Sequence, residues 1–266
     1  MKQNWFLLGD IHGEAAAIEY FYNHHRERLK LDDCQNNIIL LGDVGLNYSI
    51  TGLADFYYKT SLSKLPFTYI CLRGNHESRV SEVIKRNPSR WNPIEKYGGL
   101  VYVENDFPNI EYLVDGPAIY EFAGYKTLAL PGAYSVDKWL RLANGWQWFA
   151  DEQLSEEEMQ YGRMLVNHEK SVDLVISHTC PIEFEPNDLF LGSIDQSQVD
   201  KTMEWYLGEI ENQLDYRRWA WGHYHADRLY PWKDGKEKLM LFNEHVVDLC
   251  KFMEMGKADY FVDILA

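Results

Sequence analysis

The chain has 266 residues, 46% of them hydrophobic and 15% aromatic, enough for one large domain with a substantial core. With 26 basic against 41 acidic side chains its formal charge is −15, which disfavours long duplex nucleic acid as a partner but not a small phosphorylated ligand beside a bound cation. Cys34, Cys71, Cys180 and Cys250 have no paired spacing, the N-terminus turns acidic too early for a leader peptide, and no apolar run reaches membrane-spanning length, so the expected protein is cytoplasmic, without disulfides or a thiolate metal site.

Apolar runs alternate with helical patterns through the first third. "WFLLG" reads as a strand, residues 14–30 as an amphipathic helix with a basic end, "NIILLG" as a strand, 53–65 as a helix and "FTYICL" as a third strand. This alternation predicts parallel pairing in an α/β fold, and the near-continuous apolar strands predict a sheet covered on both faces. Between 100 and 132, "LVYVE", "IEYLVDG", "AIYEFAG" and "KTLALPG" are spaced as antiparallel hairpins. Residues 134–151, polar and aromatic after "LALPG", read as a loop or lid. "SEEE" from Ser155 is a capping box opening a helix to about Lys170. A strand at "SVDLVISH", a helix near 197–215, a strand at "RRWAWGH" and a hairpin turning at Asp234-Gly235 complete the chain. Without repeats or a linker, one domain over 1–266 is the economical reading.

Five apolar stretches end in clusters of Asp, Asn or His: "GDIHG" at 9–13, "GDVG" at 42–45, "RGNHE" at 73–77, "SHT" at 177–179 and "GHYH" at 222–225. In open α/β sheets, ligands gather outside the carboxyl ends of strands. Asp10 with His12, and His223 with His225, have period-two spacing that puts both side chains on one side of an extended chain. Asp43, Asn75 and His178 follow apolar runs of similar length. Two carboxylates, one amide oxygen and four imidazoles exceed the needs of one tetrahedral metal and suit a pair sharing a carboxylate, with Asp43 placed to bridge. Mixed oxygen and nitrogen ligation without thiolates favours manganese, with iron or zinc as alternatives.

The ordered set D-x-H, G-D, G-N-H-E, His and G-H-x-H resembles the calcineurin-like metallophosphoesterase superfamily, across residues 9 to 225, with the nearest motif likeness to its Ser/Thr-phosphatase-like members. The resemblance implies a four-layer fold, two mixed β-sheets packed as a sandwich and flanked by helices, with the middle hairpins and late strands forming the second sheet. It also implies a first metal on Asp10, His12 and His225, a second on Asn75, His178 and His223, and Asp43 between them. In that scheme His76 protonates or stabilises the leaving oxygen, and Arg73, which matches an arginine of the protein phosphatase branch, clamps phosphate. "GDVGLNY" departs from that branch's G-D-x-V-D-R-G, with Leu46 and Asn47 where Asp and Arg are expected. Specific phosphoprotein phosphatase activity is accordingly not implied, and the carboxylate that would orient His76 has no candidate.

Within 134–151, Tyr134, Asp137 and Arg141 could reach the metal site, Tyr134 and Arg141 as candidate substrate contacts, and Trp139, Trp146 and Trp148 could wall the site or stack on a base. His168 and His245 lie off the pattern and read as structural or exposed. The expected activity is hydrolysis of a phosphomonoester by metal-activated hydroxide, Arg73 being the feature that favours a dianionic phosphate. A diesterase or a dinucleoside polyphosphate hydrolase is the alternative, and a non-catalytic interaction protein a more distant one. The expected partner is a phosphorylated small molecule, a nucleotide or a phosphoprotein.

Overall fold

The structure is a computed structural model, and it describes residues 2–48, 55–192, 194–233, 236–254 and 259–264. The first half runs β1 (Gln3–Leu8), α1 (Ala15–Leu29), β2 (Gln35–Leu40), α2 (Phe56–Leu62), β3 (Phe67–Cys71), α3 (Val80–Arg86), β4 (Trp91–Lys96), β5 (Gly99–Glu104) and β6 (Phe107–Leu113). The middle adds β7 (Ala118–Phe122), β8 (Tyr125–Leu130), α4 (Lys138–Asn144), α5 (Glu156–Glu169) and β9 (Leu174–Ser177). The last part comprises α6 (Thr202–Gln213), β10 (Arg218–Trp221), β11 (Arg228–Lys233), β12 (Lys236–Met240), β13 (His245–Asp248), α7 (Leu249–Met253) and β14 (Phe261–Asp263).

Two mixed sheets form, one ordered β14-β13-β1-β2-β3-β6-β5-β4 and the other β11-β12-β10-β9-β8-β7. Period-two alternation along the strands builds four layers. Leu7, Ile39 and Ile70 turn inward against Ile176, Ala220 and Leu239 of the facing sheet. Their neighbours Phe6, Leu8, Ile38 and Leu40 turn outward under Ile18 and Phe21 of α1. On the other outer face Val175, Trp219 and Trp221 pack under Met159 of α5 and Tyr206 and Ile210 of α6. Each such side chain, fully buried, contributes about 1.5–3 kcal/mol.

The hairpins are shared between the sheets, contrary to the expectation that they all build the second. β5 pairs with β6, and β6 joins β3 in parallel, so this hairpin extends the first sheet; β7 and β8 alone enter the second. β4, with Pro93 and four exposed positions, is the edge strand where proline is tolerated. The late strand β13 likewise pairs with β1.

α1 closes on Lys30 in the left-handed conformation at φ 55°, with Arg26 and Arg28 complementing the helix dipole. Ser155 and Glu158 form the expected reciprocal cap of α5. The helix expected near 197–215 begins later: a single 3₁₀ turn, Gln196–Gln198, precedes α6, and Asp200 accepts the Thr202 N–H at 3.0 Å. The turn at Asp234-Gly235 and part of the helix expected at 53–65 lie outside the described residues. Among the described residues no helix is long and apolar enough to cross a membrane.

Candidate metal centre

β1, β2 and β3 run parallel, as do β9 and β10, and the loops leaving their carboxyl ends meet. The meeting is close enough to demand glycine. A Cβ on Gly42, whose φ is +97°, would lie 2.2 Å from His178 Nδ1, and one on Gly74 would lie 2.1 Å from Asp43 Oδ1. His12, Asp43, His223 and His225 are themselves left-handed, at φ 43°, 46°, 71° and 51°. Such backbone costs about 1–3 kcal/mol per residue and persists where the surroundings over-determine it, commonly at functional sites.

Asp10, His12 and His225 form one group whose ligand atoms all lie within 4.8 Å of one another; Asp10, Asp43 and His178 form a second that shares Asp10. His12 Nε2 faces His225 Nε2 at 2.9 Å, and His225 Nε2 lies 3.6 Å from Asp10 Oδ2. Asn75 Oδ1 lies 2.8 Å from His178 Nε2 and 3.1 Å from His223 Nδ1. His178 Nδ1 donates to the Leu41 carbonyl at 2.8 Å, which turns Nε2 toward the Asn75 oxygen. Asp10 Oδ1 is buried without a hydrogen-bond partner. Buried lone pairs converging in this way cost free energy that a cation among them removes, so the donor set fits divalent metal.

The electrostatics tell the same story. Burial pushes the Asp10 carboxyl up to about 8, with Asp43 adding to the rise. Burial also works against Asp43, yet His178 and His76 hold it well below the usual carboxylate range. His178 resists its own burial and is raised to about 9 by Asp43 and Asp10. Burial brings His12 down to about 4 and lowers His223 and His225.

His76 sits beside this cluster, its backbone N–H donating to Asp43 Oδ1 at 3.0 Å and its Nε2 3.7 Å from Asp43 Oδ2. Arg141 reaches it from α4, with Nη2 3.0 Å from His76 Nε2. One helical turn back, Asp137 accepts from Arg141 Nε at 2.8 Å and fixes the guanidinium. Residues 134–151 therefore contain a short helix where a loop was expected, and it is this helix that carries the cation in.

Tyr134 makes no hydrogen bond among the described residues, and its hydroxyl is raised by burial first and then by Glu152 and Asp200. Its neighbour Ser135 is the residue that engages the site, accepting from Asn75 Nδ2 at 2.8 Å and tied to Glu152 at 2.5 Å. Trp139 and Trp146 are 70% and 56% exposed.

The Arg73 side chain is buried. It is 6% exposed, donates to the Glu152 and Gly74 carbonyls at 2.8 and 3.2 Å, and lies 3.9 Å from Asp115. It lines a small cavity of about 20 Å³ with Leu46, Asn47 and Glu77. The strand end turns its side chain inward, Nη1 making both hydrogen bonds while Nε and Nη2 are buried without a hydrogen-bond partner among the described residues. Leu46 and Asn47 also face inward: Leu46 is in the core, and Asn47 accepts from Ser78 N at 2.9 Å through its carbonyl and from Lys59 through its side chain.

Besides Ser135, two further contributors were missed in the sequence. Glu77 accepts from the Val44, Gly45 and Gly74 N–H groups at 2.7, 3.2 and 2.8 Å, clasping the Asp43 loop to the Asn75 loop. Its place at the end of "RGNHE" was the available signal. The Tyr48 hydroxyl lies 2.7 Å from His12 Nδ1 and had no signal at all. Of the histidines read as structural or exposed, His245 is held between Asp227 at 2.5 Å and Asp263 at 2.8 Å.

Among solved structures, TT1561 of Thermus thermophilus matches at 10% identity over 99% of this chain and 100% of its own, with a TM-score of 0.54, a likeness of fold alone. A dimetal phosphatase from Danio rerio matches at 12% identity over 92% of this chain and 94% of its own, with a TM-score of 0.47. A 5′-nucleotidase from Candida albicans matches at 16% identity over 92% of this chain and 46% of its own, with a TM-score of 0.44. The comparison with curated proteins gives no match. The family model of the calcineurin-like phosphoesterases matches residues 6–227, a span that holds every cluster described above. The chain belongs to the calcineurin-like phosphoesterase family.

Proposed function

We propose that the chain is a dinuclear metal-dependent phosphomonoesterase. The observation that carries this reading is the convergence of seven metal-competent side chains with His76 and Arg141 at one end of both sheets. Asp10, His12 and His225 would hold one cation and Asn75, His178 and His223 the other, with Asp43 between. Manganese is the first choice for this oxygen and nitrogen set, iron or zinc the next. Such a pair supplies, when bound, electrophilic activation of a phosphate and water of lowered pKa.

The chain's own groups do the rest. Arg141 is a donor only, so in its contact with His76 the imidazole Nε2 accepts and carries no proton. A substrate phosphate that takes over the guanidinium releases Nε2, which is then free to hold a proton facing the leaving oxygen. Asp137 keeps Arg141 on this side of the site as the contact is exchanged. A guanidinium added to two cations favours a dianionic terminal phosphate, and in this reading Arg141 makes that contact, with Arg73 as the second candidate. We read the substrate as a phosphorylated small molecule, nucleotide or phosphoprotein, and the protein as one cytoplasmic domain.

The test is hydrolysis of para-nitrophenyl phosphate against bis-para-nitrophenyl phosphate by manganese-loaded protein. Monoester preference is expected, and diester preference would replace the reading with a phosphodiesterase. Absence of turnover of either, with metal bound, would favour an interaction protein.

A further inference from the structure

We infer that Tyr48 is a positioning residue that fixes the tautomer of His12 and with it the affinity of the first metal position. The inference rests on the two-metal reading above. The stretch that carries it, "GDVGLNY", is also where the chain leaves the protein phosphatase pattern. Leu46 and Asn47 turn to the interior, and the next side chain returns to the site.

His12 Nε2 and His225 Nε2 lie 2.9 Å apart and close on the Asp10 carboxylate, so it is Nε2 of His12 that faces the cation position. A neutral imidazole ligating through Nε2 must carry its proton on Nδ1. Nδ1 lies 2.7 Å from the Tyr48 hydroxyl, its one hydrogen-bond partner among the described residues. Tyr48 Oη is therefore the acceptor. Were the phenol to donate instead, the imidazole proton would sit on Nε2, in the place of the metal.

The phenol is suited to hold that arrangement. Its ring stands edge-on to both His12 and His76, with centroids 6.5 and 6.3 Å away, which limits rotation of either imidazole. A ligand imidazole that loses the partner of its distal nitrogen commonly loses about 10- to 100-fold in metal affinity.

The test is manganese titration by calorimetry of the wild type and Tyr48→Phe, with thermal melting of the metal-free proteins as the fold control. Two sites in the wild type, one of them about 10- to 100-fold weaker in the variant and the other unchanged, is the expected result. Two unchanged sites in the variant would overturn the role of Tyr48 alone. Fewer than two sites in the wild type would overturn the two-metal reading together with it. Should the variant fail to fold, the zinc-loaded wild type decides by nitrogen-15 spectroscopy of its histidines. A proton on Nδ1 of His12 with the metal on Nε2 is required, and the opposite tautomer refutes the inference.

Discussion

Removal of the Arg141 guanidinium is the sharpest perturbation of the proposed chemistry. The side chain is held at three points, by Asp137 at Nε, by His76 at Nη2 and by the Gln147 carbonyl at Nη1, all in the plane of one rigid fork. A hydrogen bond to a charged group in such a setting is worth about 1.5–3 kcal/mol. Arg141→Ala should therefore lower kcat/KM for a phosphomonoester by about 10- to 100-fold, at about 1.36 kcal/mol per tenfold. The loss for a phosphodiester, which lacks the second phosphate charge, should be several-fold smaller. Arg141→Lys should recover only part of the loss, because an ammonium cannot serve Asp137 and a phosphate from one planar fork. Steady-state kinetics on the two nitrophenyl esters, with metal content measured alongside, provides the assay. Equal losses on both esters, or a monoester loss below twofold, would refute the reasoning.

Other outcomes follow from the same geometry. His76→Ala should lower kcat by about 10²- to 10⁴-fold while leaving metal content unchanged, measured by kinetics and elemental analysis. Arg73→Met should lower the melting temperature and leave KM for phosphomonoesters unchanged, because the guanidinium faces main-chain carbonyls and Asp115; a raised KM would restore it as a phosphate contact. Glu204, 4% exposed, is pushed by burial from 4.5 up to about 7, against the Thr179 hydroxyl that donates to it at 2.7 Å. Its folded form keeps the proton longer than the unfolded chain, so its contribution falls as pH rises from about 4.5 to about 7 and is constant above. That amounts to about 3 kcal/mol at about 1.36 kcal/mol per pH unit. In urea denaturation at pH 4.5 and 7.5, Glu204→Gln should lose less stability than the wild type by about this amount, and equal losses would refute it.

The convergence of the candidate ligands was legible in the sequence because each follows an apolar strand closely, and parallel strands bring their carboxyl ends together whatever lies between them. Arg73 shows the limit of that logic. It occupies a strand end like the others, but the side on which a residue leaves such an end depends on the packing of Gly132 and Glu152 from another part of the chain. Arg141 was legible only as a candidate, since its approach depends on α4, a helix of two turns whose outward side chains mask any amphipathic pattern. The division of the hairpins between two sheets was likewise hidden. Strand sequences buried on both sides look alike in either sheet, and only the parallel pairing of β6 with β3 decides the matter.

The central claim is that the converging side chains hold a pair of cations that does the chemistry. It is tested most directly by measuring bound manganese per chain after dialysis, together with para-nitrophenyl phosphate turnover before and after chelation. Two manganese ions per chain and activity lost on chelation and restored on readdition are predicted. One ion or none, or turnover that survives chelation, would contradict the account.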